Sequence, residues 1–243
     1  TKATRGCQDA PVRLKFFFGE LPAELNTPLD PWKAWLSRAW MQDEVETAND
    51  LWKVAKRQTE EALTYLNDEG LFDQSKRPGV WLFFDWREGL DVNTPMQGAT
   101  IFALQQTYEL AKMLGREKEV SNYPALIKKM TKAVRKRFYD QKRGVMESGA
   151  DKQVSILSQT WSIKAGILNK QEGAKAILKA LTTEGVVMPG TPYATHYLID
   201  AMLLCDMKQE ARDYLIDYWG GLPRQLRLPC LELHARLFHP QIP

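Results

Sequence analysis

Apolar residues recur through most of the chain at the spacing of amphipathic helices. Pro31 suits the first position of a helix. Trp35, Leu36 and Trp40 then fall three, four and eight positions after Trp32, which is a helical spacing. The segment 51–66 carries a similar apolar stripe and ends at Asn67-Asp-Glu-Gly, a helix-stop signal. The pattern therefore predicts helices from residue 31 and over 51–66, whereas residues 1–30, interrupted by prolines, are predicted to be irregular.

From residue 95 onward the chain repeats one arrangement three times. A mostly apolar helix is followed by a short polar turn and then by a more charged helix. The predicted pairs are 95–114 with 123–139, 154–168 with 173–181, and 195–204 with 209–219. Stacked helical hairpins have this pattern. We therefore predict an all-α fold with a helical-hairpin domain over 31–222, preceded by the irregular segment 1–30 and followed by a tail, 223–243, whose structure the pattern leaves open.

Three polar connectors lie between the predicted hairpins, at residues 80–97, 140–153 and 185–194. Each joins an outer, charged helix to the next inner, apolar helix, so all three are expected at the same end of their hairpins. In a ring of hairpins such connectors converge on one mouth, and binding residues commonly collect on loops of this kind. The register thus predicts a functional mouth formed by three separate segments.

The first connector combines aromatic and acidic side chains. It reads VWLFFDWREGLDVNTPMQ and contains Trp81 and Trp86, with Asp85 and Glu88 close by. Aromatic rings pack on the C–H faces of pyranoses, and carboxylates accept hydrogen bonds from sugar hydroxyls. We therefore predict a sugar site with Trp81 and Trp86 as platforms. A core-facing segment whose Asp caps the next helix explains the same residues about equally well.

The composition narrows the classes of partner. The chain has 243 residues, of which 44% are hydrophobic, and its 33 basic and 30 acidic residues are too balanced to predict a nucleic-acid or membrane partner. The basic run 128–137 accompanies an apolar helical stripe, so its cations are predicted to be the solvated face of a helix. No stretch approaches the ~20 apolar residues of a membrane span.

Motifs for metal, nucleotide and secretion signals are missing from the sequence. The three cysteines and three histidines lack metal-ligand spacing, and no Gly-rich phosphate loop occurs. The N-terminal stretch has only the short aromatic block 16–18 and does not make a signal peptide. We therefore expect a soluble protein without a metal site, in a compartment that is cytoplasmic, periplasmic or secreted.

Three segments together resemble a known family. They are FFDW at 83–86, TPMQG at 94–98 and GTPYATHYLIDAMLLCDMKQEARDYLIDYWGGL at 190–222. This series is similar to the catalytic domain of bacterial α-L-rhamnosidases of glycoside hydrolase family 78, in the six-hairpin glycosidase superfamily, over about residues 48–222 but not at either end. The resemblance implies an (α/α)6 toroid and an inverting hydrolase that releases terminal α-L-rhamnose from rhamnosides, with no cofactor.

The resemblance also assigns roles to individual residues. Asp85 and Trp86 match the family's Asp-Trp pair at the sugar pocket, so that Trp86 would stack on the sugar and Asp85 would accept a hydroxyl. His196 and Tyr197 open an inner helix at the same mouth, and Trp219 closes the last hairpin. All three are expected to bind substrate. Two alternatives stay open: Trp219 packs its own hairpin, and His196 is an ordinary residue of a helix start.

Inverting hydrolysis requires two carboxyl groups about 6.5–9.5 Å apart, one to protonate the leaving oxygen and one to activate water. The preferred acid is Glu88, which the indole of Trp86 would desolvate, and the other candidates are Glu147 and Asp85. For Glu88 and Glu147 a solvated loop carboxylate is the simpler interpretation. The family's upstream acid segment ending Trp-x-Gly-Asp and its Thr-x-Trp-Glu base segment have no counterpart here.

These departures leave three hypotheses. The first is a rhamnosidase-like hydrolase, the second a degenerate toroid that binds carbohydrate without hydrolysis, and the third a helical-repeat scaffold for protein partners in which every Trp is core. The chain is short for six hairpins, so an incomplete ring with an open edge for self-association is also expected. The tail 223–243 departs from the family pattern, which suggests a truncation or an altered reading frame.

Overall fold

The structure is a computed structural model that describes residues 42–80 and 82–220. This part of the chain is mostly helical. Its helices are α1 (Gln42–Leu63), α2 (Asn93–Met113), α3 (Tyr123–Phe138), α4 (Ile156–Lys164), α5 (Lys170–Leu181), α6 (Pro192–Leu204) and α7 (Lys208–Gly220). Short 3-10 helices span Gln74–Lys76 and Glu117–Val120. The predicted irregular segment 1–30, the start of the helix predicted from residue 31, the tail 223–243 and Trp81 lie outside the described residues.

Two compact units divide the chain. Ala48–Tyr214 form one unit, and the described residues 42–47 and 215–220 belong to the other. The core and the site described below lie within Ala48–Tyr214. None of the helices in the described ranges combines the length and the apolar character needed to cross a bilayer.

Two of the helical hairpins predicted from the repeated pattern are present as α2–α3 and α4–α5, and the helices of the third, α6 and α7, follow each other across a short turn. Helix α4 is shorter than the predicted 154–168, because the Ser155 side chain caps its first turn by accepting a hydrogen bond from the N–H of Ser158. Gly166, with φ of +66°, then follows its end. A glycine in this left-handed conformation is a common helix stop.

Helices α2, α4 and α6, predicted as the inner helices, pack side by side in a row, with α3 against α2 and α5 against α4. Trp161 of α4 contacts Tyr197 of α6, and one turn later Lys164 contacts Asp200, so α4 and α6 run in the same direction. Gly98 allows α2 to approach α4 closely, since a Cβ there would lie 2.7 Å from the Trp161 carbonyl oxygen.

Helix α3 confirms the interpretation of the basic run. Its Met130 and Val134 are fully buried, whereas Lys128, Lys132 and Lys136 are exposed. The cations therefore form the solvated face of an amphipathic helix, as the spacing of the apolar residues predicts.

The connector 140–153 corrects the all-α expectation, because it contains a small antiparallel sheet. Its strands are β1 (Tyr139–Asp140), β2 (Val145–Ser148) and β3 (Gln153–Val154), in the order β1-β2-β3. The Asp140 carboxylate accepts hydrogen bonds from the N–H groups of Lys142 and Arg143, and Gly144 supplies the left-handed turn residue. All four residues of β2 are buried, and a buried segment satisfies its backbone groups by strand pairing.

Candidate functional site

The carboxylate of Asp85 joins the first connector to the third. Its Oδ2 accepts a hydrogen bond from the N–H of Gly190 at 2.6 Å, and its Oδ1 accepts one from the Thr191 hydroxyl at 2.7 Å. The Thr191 Oγ1 in turn accepts a hydrogen bond from the N–H of Ala194 and caps α6. Asp85 therefore fixes the start of the inner helix that carries His196 and Tyr197.

The backbone of Gly190 lies directly against the first connector. A Cβ at this position would come within 2.7 Å of the carbonyl oxygen of Trp86 and 3.1 Å of the N–H nitrogen of Arg87. Such contacts are closer than side chains tolerate, so the two connectors approach at a distance that only glycine permits. Gly190 therefore holds the first connector in two ways: its N–H bonds to Asp85, and its Cα lies against the backbone of Trp86 and Arg87.

The second connector is joined to the first by three side chains. The Ser148 hydroxyl donates to Oδ1 of Asp91 at 2.5 Å. Gln153 donates from Nε2 to the carbonyl of Gly89 at 2.7 Å and accepts at Oε1 from the N–H of Asp91 at 2.8 Å. Gly149 has φ of +69°, and a Cβ there would lie 2.1 Å from Oδ2 of Asp91. These contacts fix the turn that contains Glu88.

Backbone hydrogen bonds join the residues directly after the second connector to the third connector. The N–H of Val187 donates to the carbonyl of Val154, and the N–H of Ile156 donates to the carbonyl of Val187, each at 3.0 Å. All three connectors therefore meet, which confirms the convergence predicted from the register of the hairpins. We call the surface where 80–97, 140–153 and 185–194 meet the mouth.

Two aromatic side chains are exposed on the first connector. Trp86 is 72% exposed and its ring centroid lies 5.0 Å from that of Phe83, which is 41% exposed. Trp86 is therefore not a core residue, contrary to the scaffold hypothesis in which every tryptophan is buried. An exposed indole at a place where three connectors meet is available to pack against a ligand.

A second aromatic cluster lies among the inner helices. Trp161 is its centre, with ring centroids 4.6 Å from Tyr197, 5.9 Å from Phe84 and 6.1 Å from Phe102. Tyr197 is buried, and this burial raises the pKa of its hydroxyl. Tyr193, which packs edge-on against Tyr197 at 5.0 Å, is 48% exposed. Tyr197 thus belongs to the buried aromatic cluster, whereas the ring of Tyr193 reaches the protein surface.

The candidate acids occupy different environments. Glu88 is exposed in the turn after Trp86. Glu147 lies on β2 with only 6% of its surface exposed, and its carboxylate is 3.2 Å from Nη1 of Arg143 and 3.8 Å from Nζ of Lys152. The carboxylate of Asp85 is already bonded on both oxygens, as described above. Glu147 is therefore a charge-compensated carboxylate, and Glu88 is a solvated one.

Lys164 and Asp200 form a buried ion pair close to His196. Nζ of Lys164 is 2.7 Å from Oδ2 of Asp200, and the two side chains are only 5% and 9% exposed. Nε2 of His196 is 3.9 Å from the same oxygen. Burial lowers the pKa of His196 and the positive charge of Lys164 lowers it further, while Asp200 acts in the opposite direction. His196 is therefore favoured in its neutral form.

Lys164, Asp200 and Trp161 are not among the site residues predicted from the sequence. Lys164 and Asp200 are 36 positions apart and become neighbours only because α4 and α6 run side by side. Of the predicted substrate residues, Trp219 lies in the last turn of α7, within the second compact unit, and its role stays a prediction. In 42–80 and 82–220, no three His, Cys, Asp or Glu side chains are placed to hold a metal ion.

Comparison with known proteins identifies the class to which these features point. Residues 1–76 match the model of the glycosyl hydrolase family 78 alpha-rhamnosidase N-terminal domain. A rhamnosidase from Klebsiella oxytoca, solved with rhamnose bound, is similar in structure with a TM-score of 0.68 and 30% sequence identity. The alignment covers 76% of this chain and 36% of that one. No curated protein matches the chain.

A second solved structure, a family 78 rhamnosidase from Bacillus sp. GL1, gives a TM-score of 0.62 at 17% identity, a likeness of fold alone. It covers 76% of this chain and 20% of the Bacillus protein. The resemblance to glycoside hydrolase family 78 predicted from the sequence is thus confirmed. The family-model match covers residues 1–76, so the prediction that the likeness is limited to about 48–222 and leaves out the N-terminal end is wrong.

Proposed function

We propose that this chain is part of a rhamnosidase-like glycoside hydrolase whose mouth binds a terminal α-L-rhamnosyl residue. The observation that carries this proposal is the meeting of three connectors beside an exposed indole, Trp86. The rhamnose bound to the Klebsiella rhamnosidase supports the choice of sugar. The chain spans 36% of that protein. The proposal therefore includes a contribution to the site from residues that correspond to its other parts.

The proposed architecture is an incomplete (α/α)6 toroid, with the helical-hairpin domain extending over 31–222. Its support is the row of inner helices α2, α4 and α6, of which α4 and α6 run in the same direction, with α3 and α5 packed outside them. In such a ring the inner helices begin at the same end, where their preceding connectors meet. This arrangement would put the mouth at one end of the ring axis.

In the proposed complex, Trp86 packs on a C–H face of the sugar ring. The neutral imidazole of His196, whose Nε2 lies 3.9 Å from Oδ2 of Asp200, exchanges hydrogen bonds with a hydroxyl group. Tyr193 adds a phenol at the edge of the mouth, supported by the buried ring of Tyr197. Trp81 and Trp219 remain proposed platforms.

The acid and base of an inverting mechanism are proposed from the carboxylates of the mouth. Glu88 is the proposed general acid, because it lies two residues after Trp86, against which the sugar ring would pack. Glu147 suits the general base, since Arg143 and Lys152 compensate its negative charge. Asp85 is the proposed positioning residue, because both of its oxygens hold the third connector.

The proposal is tested with 4-nitrophenyl α-L-rhamnoside and the chain as it exists. We expect slow release of nitrophenol. Its rate should fall at least ~100-fold in Glu88→Gln and in Glu147→Gln, because a general acid or base typically contributes a factor of this size. Glu210→Gln, an exposed residue at the start of α7, is the matched control and should not change the rate. Proton NMR of the first product should show β-L-rhamnose. Hydrolysis that both substitutions leave unchanged would refute these assignments.

Carbohydrate binding without hydrolysis is the second candidate. It is favoured by the contacts of the carboxylates: both oxygens of Asp85 hold the third connector, and the carboxylate of Glu147 is paired with two cations. Under this alternative L-rhamnose would perturb the Trp86 indole, and no nitrophenol would be released at any pH. The two functions are therefore separated by the combination of binding and turnover measurements.

A further inference from the structure

A surface groove of about 560 Å³ lies between the β1–β2 turn and helix α5. Neither the fold nor the proposed hydrolysis gives it a role. The residues of its lining that matter here are Tyr139, Gln141, Lys142, Gln171, Lys175 and Lys179. The first three belong to the β-hairpin and the last three to α5, which packs against β2.

The groove carries positive charge that the protein does not compensate. Lys142, Lys175 and Lys179 are exposed, and within the ranges 42–80 and 82–220 none of their ammonium groups lies in an ion pair. Lys175 and Lys179 are one turn apart on α5, where like charges repel by a few tenths of a kcal/mol. The carboxylate of the lining, Glu172, forms a two-point pair with Arg135 at 2.8 and 3.0 Å.

The commitment of Glu172 leaves the lysines without a counter-charge. Besides pairing with Arg135, Glu172 accepts a hydrogen bond from the N–H of Asn169 in the capping box of α5. Its pKa is lowered by the Arg135 contact, so it stays ionised but is oriented toward that residue. An anion placed in the groove would therefore meet three ammonium groups whose charge is still available.

The neutral part of the lining suits a sugar ring. The side-chain amides of Gln141 and Gln171 make no hydrogen bond within the described part of the chain, so both can donate to and accept from hydroxyls. Tyr139 contributes an aromatic ring, and the guanidinium of Arg135 lies 4.8 Å from its centroid. Aromatic rings pack on pyranose C–H faces, and amides recognise vicinal hydroxyls.

We infer that this groove binds an acidic saccharide, a pyranose that carries a carboxylate such as a uronic acid unit of a glycan. The lysine ammonium groups would pair with the carboxylate of the sugar. The glutamine amides would hydrogen-bond to its hydroxyls, and Tyr139 would pack against its ring face. A simple phosphate or sulfate would use only the lysines, and single-stranded nucleic acid typically requires a series of aromatic platforms rather than a single ring. The inference goes beyond the proposed function and does not depend on it.

The test is calorimetric titration at low ionic strength with an α-1,4-linked trigalacturonate, compared with neutral maltotriose. We expect trigalacturonate to bind at least ~tenfold more tightly, and added salt to weaken this binding by screening. The double variant Lys175→Gln/Lys179→Gln should lose about tenfold in affinity. The matched control Lys128→Gln/Lys132→Gln, which removes an equally spaced exposed pair from α3, should change it less than ~twofold.

A Tyr139→Leu variant separates a sugar site from a simple anion patch, because it keeps every charge. It should weaken trigalacturonate binding while circular dichroism shows an unchanged fold. The inference is overturned if trigalacturonate does not bind, if maltotriose binds equally well, if inorganic sulfate competes at equal concentration, or if a single-stranded oligonucleotide binds more tightly. None of these outcomes depends on rhamnoside hydrolysis, so failure here and failure of the proposed function are distinguishable.

Discussion

The Asp85 carboxylate accepts a hydrogen bond from the hydroxyl of Thr191 at 2.7 Å, although the two residues are 106 positions apart. The same hydroxyl caps α6. One side chain of the first connector therefore sets where an inner helix begins and how the third connector lies against Trp86. The adjacent residues Asp85 and Trp86 thus combine a carboxylate that holds the third connector with an exposed indole.

Substitution of Asp85 measures this coupling. Asp85→Ala leaves the N–H of Gly190 and the hydroxyl of Thr191 without their acceptor, so we expect a loss of about 1–2 kcal/mol in the free energy of unfolding. In a double-mutant cycle with Thr191→Val, measured by urea denaturation, the coupling energy should be about 0.5–1.5 kcal/mol. Strict additivity of the two losses would contradict the contact.

Two glycines with the same backbone conformation provide a matched pair. Gly144 has φ of +70° with open space where a Cβ would lie, whereas Gly149 has φ of +69° and Asp91 in that space. Gly144→Ala should therefore cost about 1 kcal/mol of stability from backbone strain alone. Gly149→Ala should cost about 2–3 kcal/mol or more, because Asp91 must also move. Equal melting temperatures for the two variants would show that the connectors do not meet at Gly149.

The buried pair of Lys164 and Asp200 makes a non-additive prediction. Lys164→Met leaves a carboxylate buried without its partner, which typically costs about 3–5 kcal/mol. In Lys164→Met/Asp200→Leu no unpaired charge remains, so the double variant should be more stable than Lys164→Met in thermal unfolding. A double variant less stable than either single one would mean that the pair is not buried as described.

His196 predicts a dependence of stability on pH. Its folded pKa lies below the ordinary value of 6.5, so in mildly acidic solution the unfolded chain binds more protons than the folded one. The contribution is fully present above pH 6.5 and is lost as the pH falls toward the folded pKa. Between pH 7.5 and 5.0, the free energy of unfolding should fall more in the native chain than in His196→Gln, and identical slopes would exclude this assignment.

The sequence predicts the hairpins because their apolar positions repeat with a helical period and polar turns separate them. Met130 and Val134 of α3 are buried as that period requires. The convergence of the connectors also follows from the sequence, since alternation of inner and outer helices puts them at one end. These features depend on local spacing and on the order of elements, which a single sequence contains.

Other features depend on contacts that the sequence does not encode locally. The sheet β1–β3 forms in a polar connector because its middle strand, which includes Glu147, is buried by neighbouring helices. The ion pair of Lys164 with Asp200 requires the lateral register of α4 and α6. Asp85 has the residue type of a catalytic acid, and the hydrogen bonds on its two oxygens, visible only in three dimensions, are the reason we propose a positioning role for it.

The central claim is that L-rhamnose binds at the mouth, against Trp86. It is tested most directly by titrating the ¹⁵N-labelled chain with L-rhamnose and following the tryptophan indole N–H resonances, with Trp86→Phe used to assign the Trp86 signal. The internal control is the indole of Trp52, which is buried and donates a hydrogen bond from Nε1 to Oε2 of Glu119 at 3.0 Å. We expect a saturable shift of the Trp86 resonance while that of Trp52 stays in place. A Trp86 resonance that does not move at saturating sugar would contradict it.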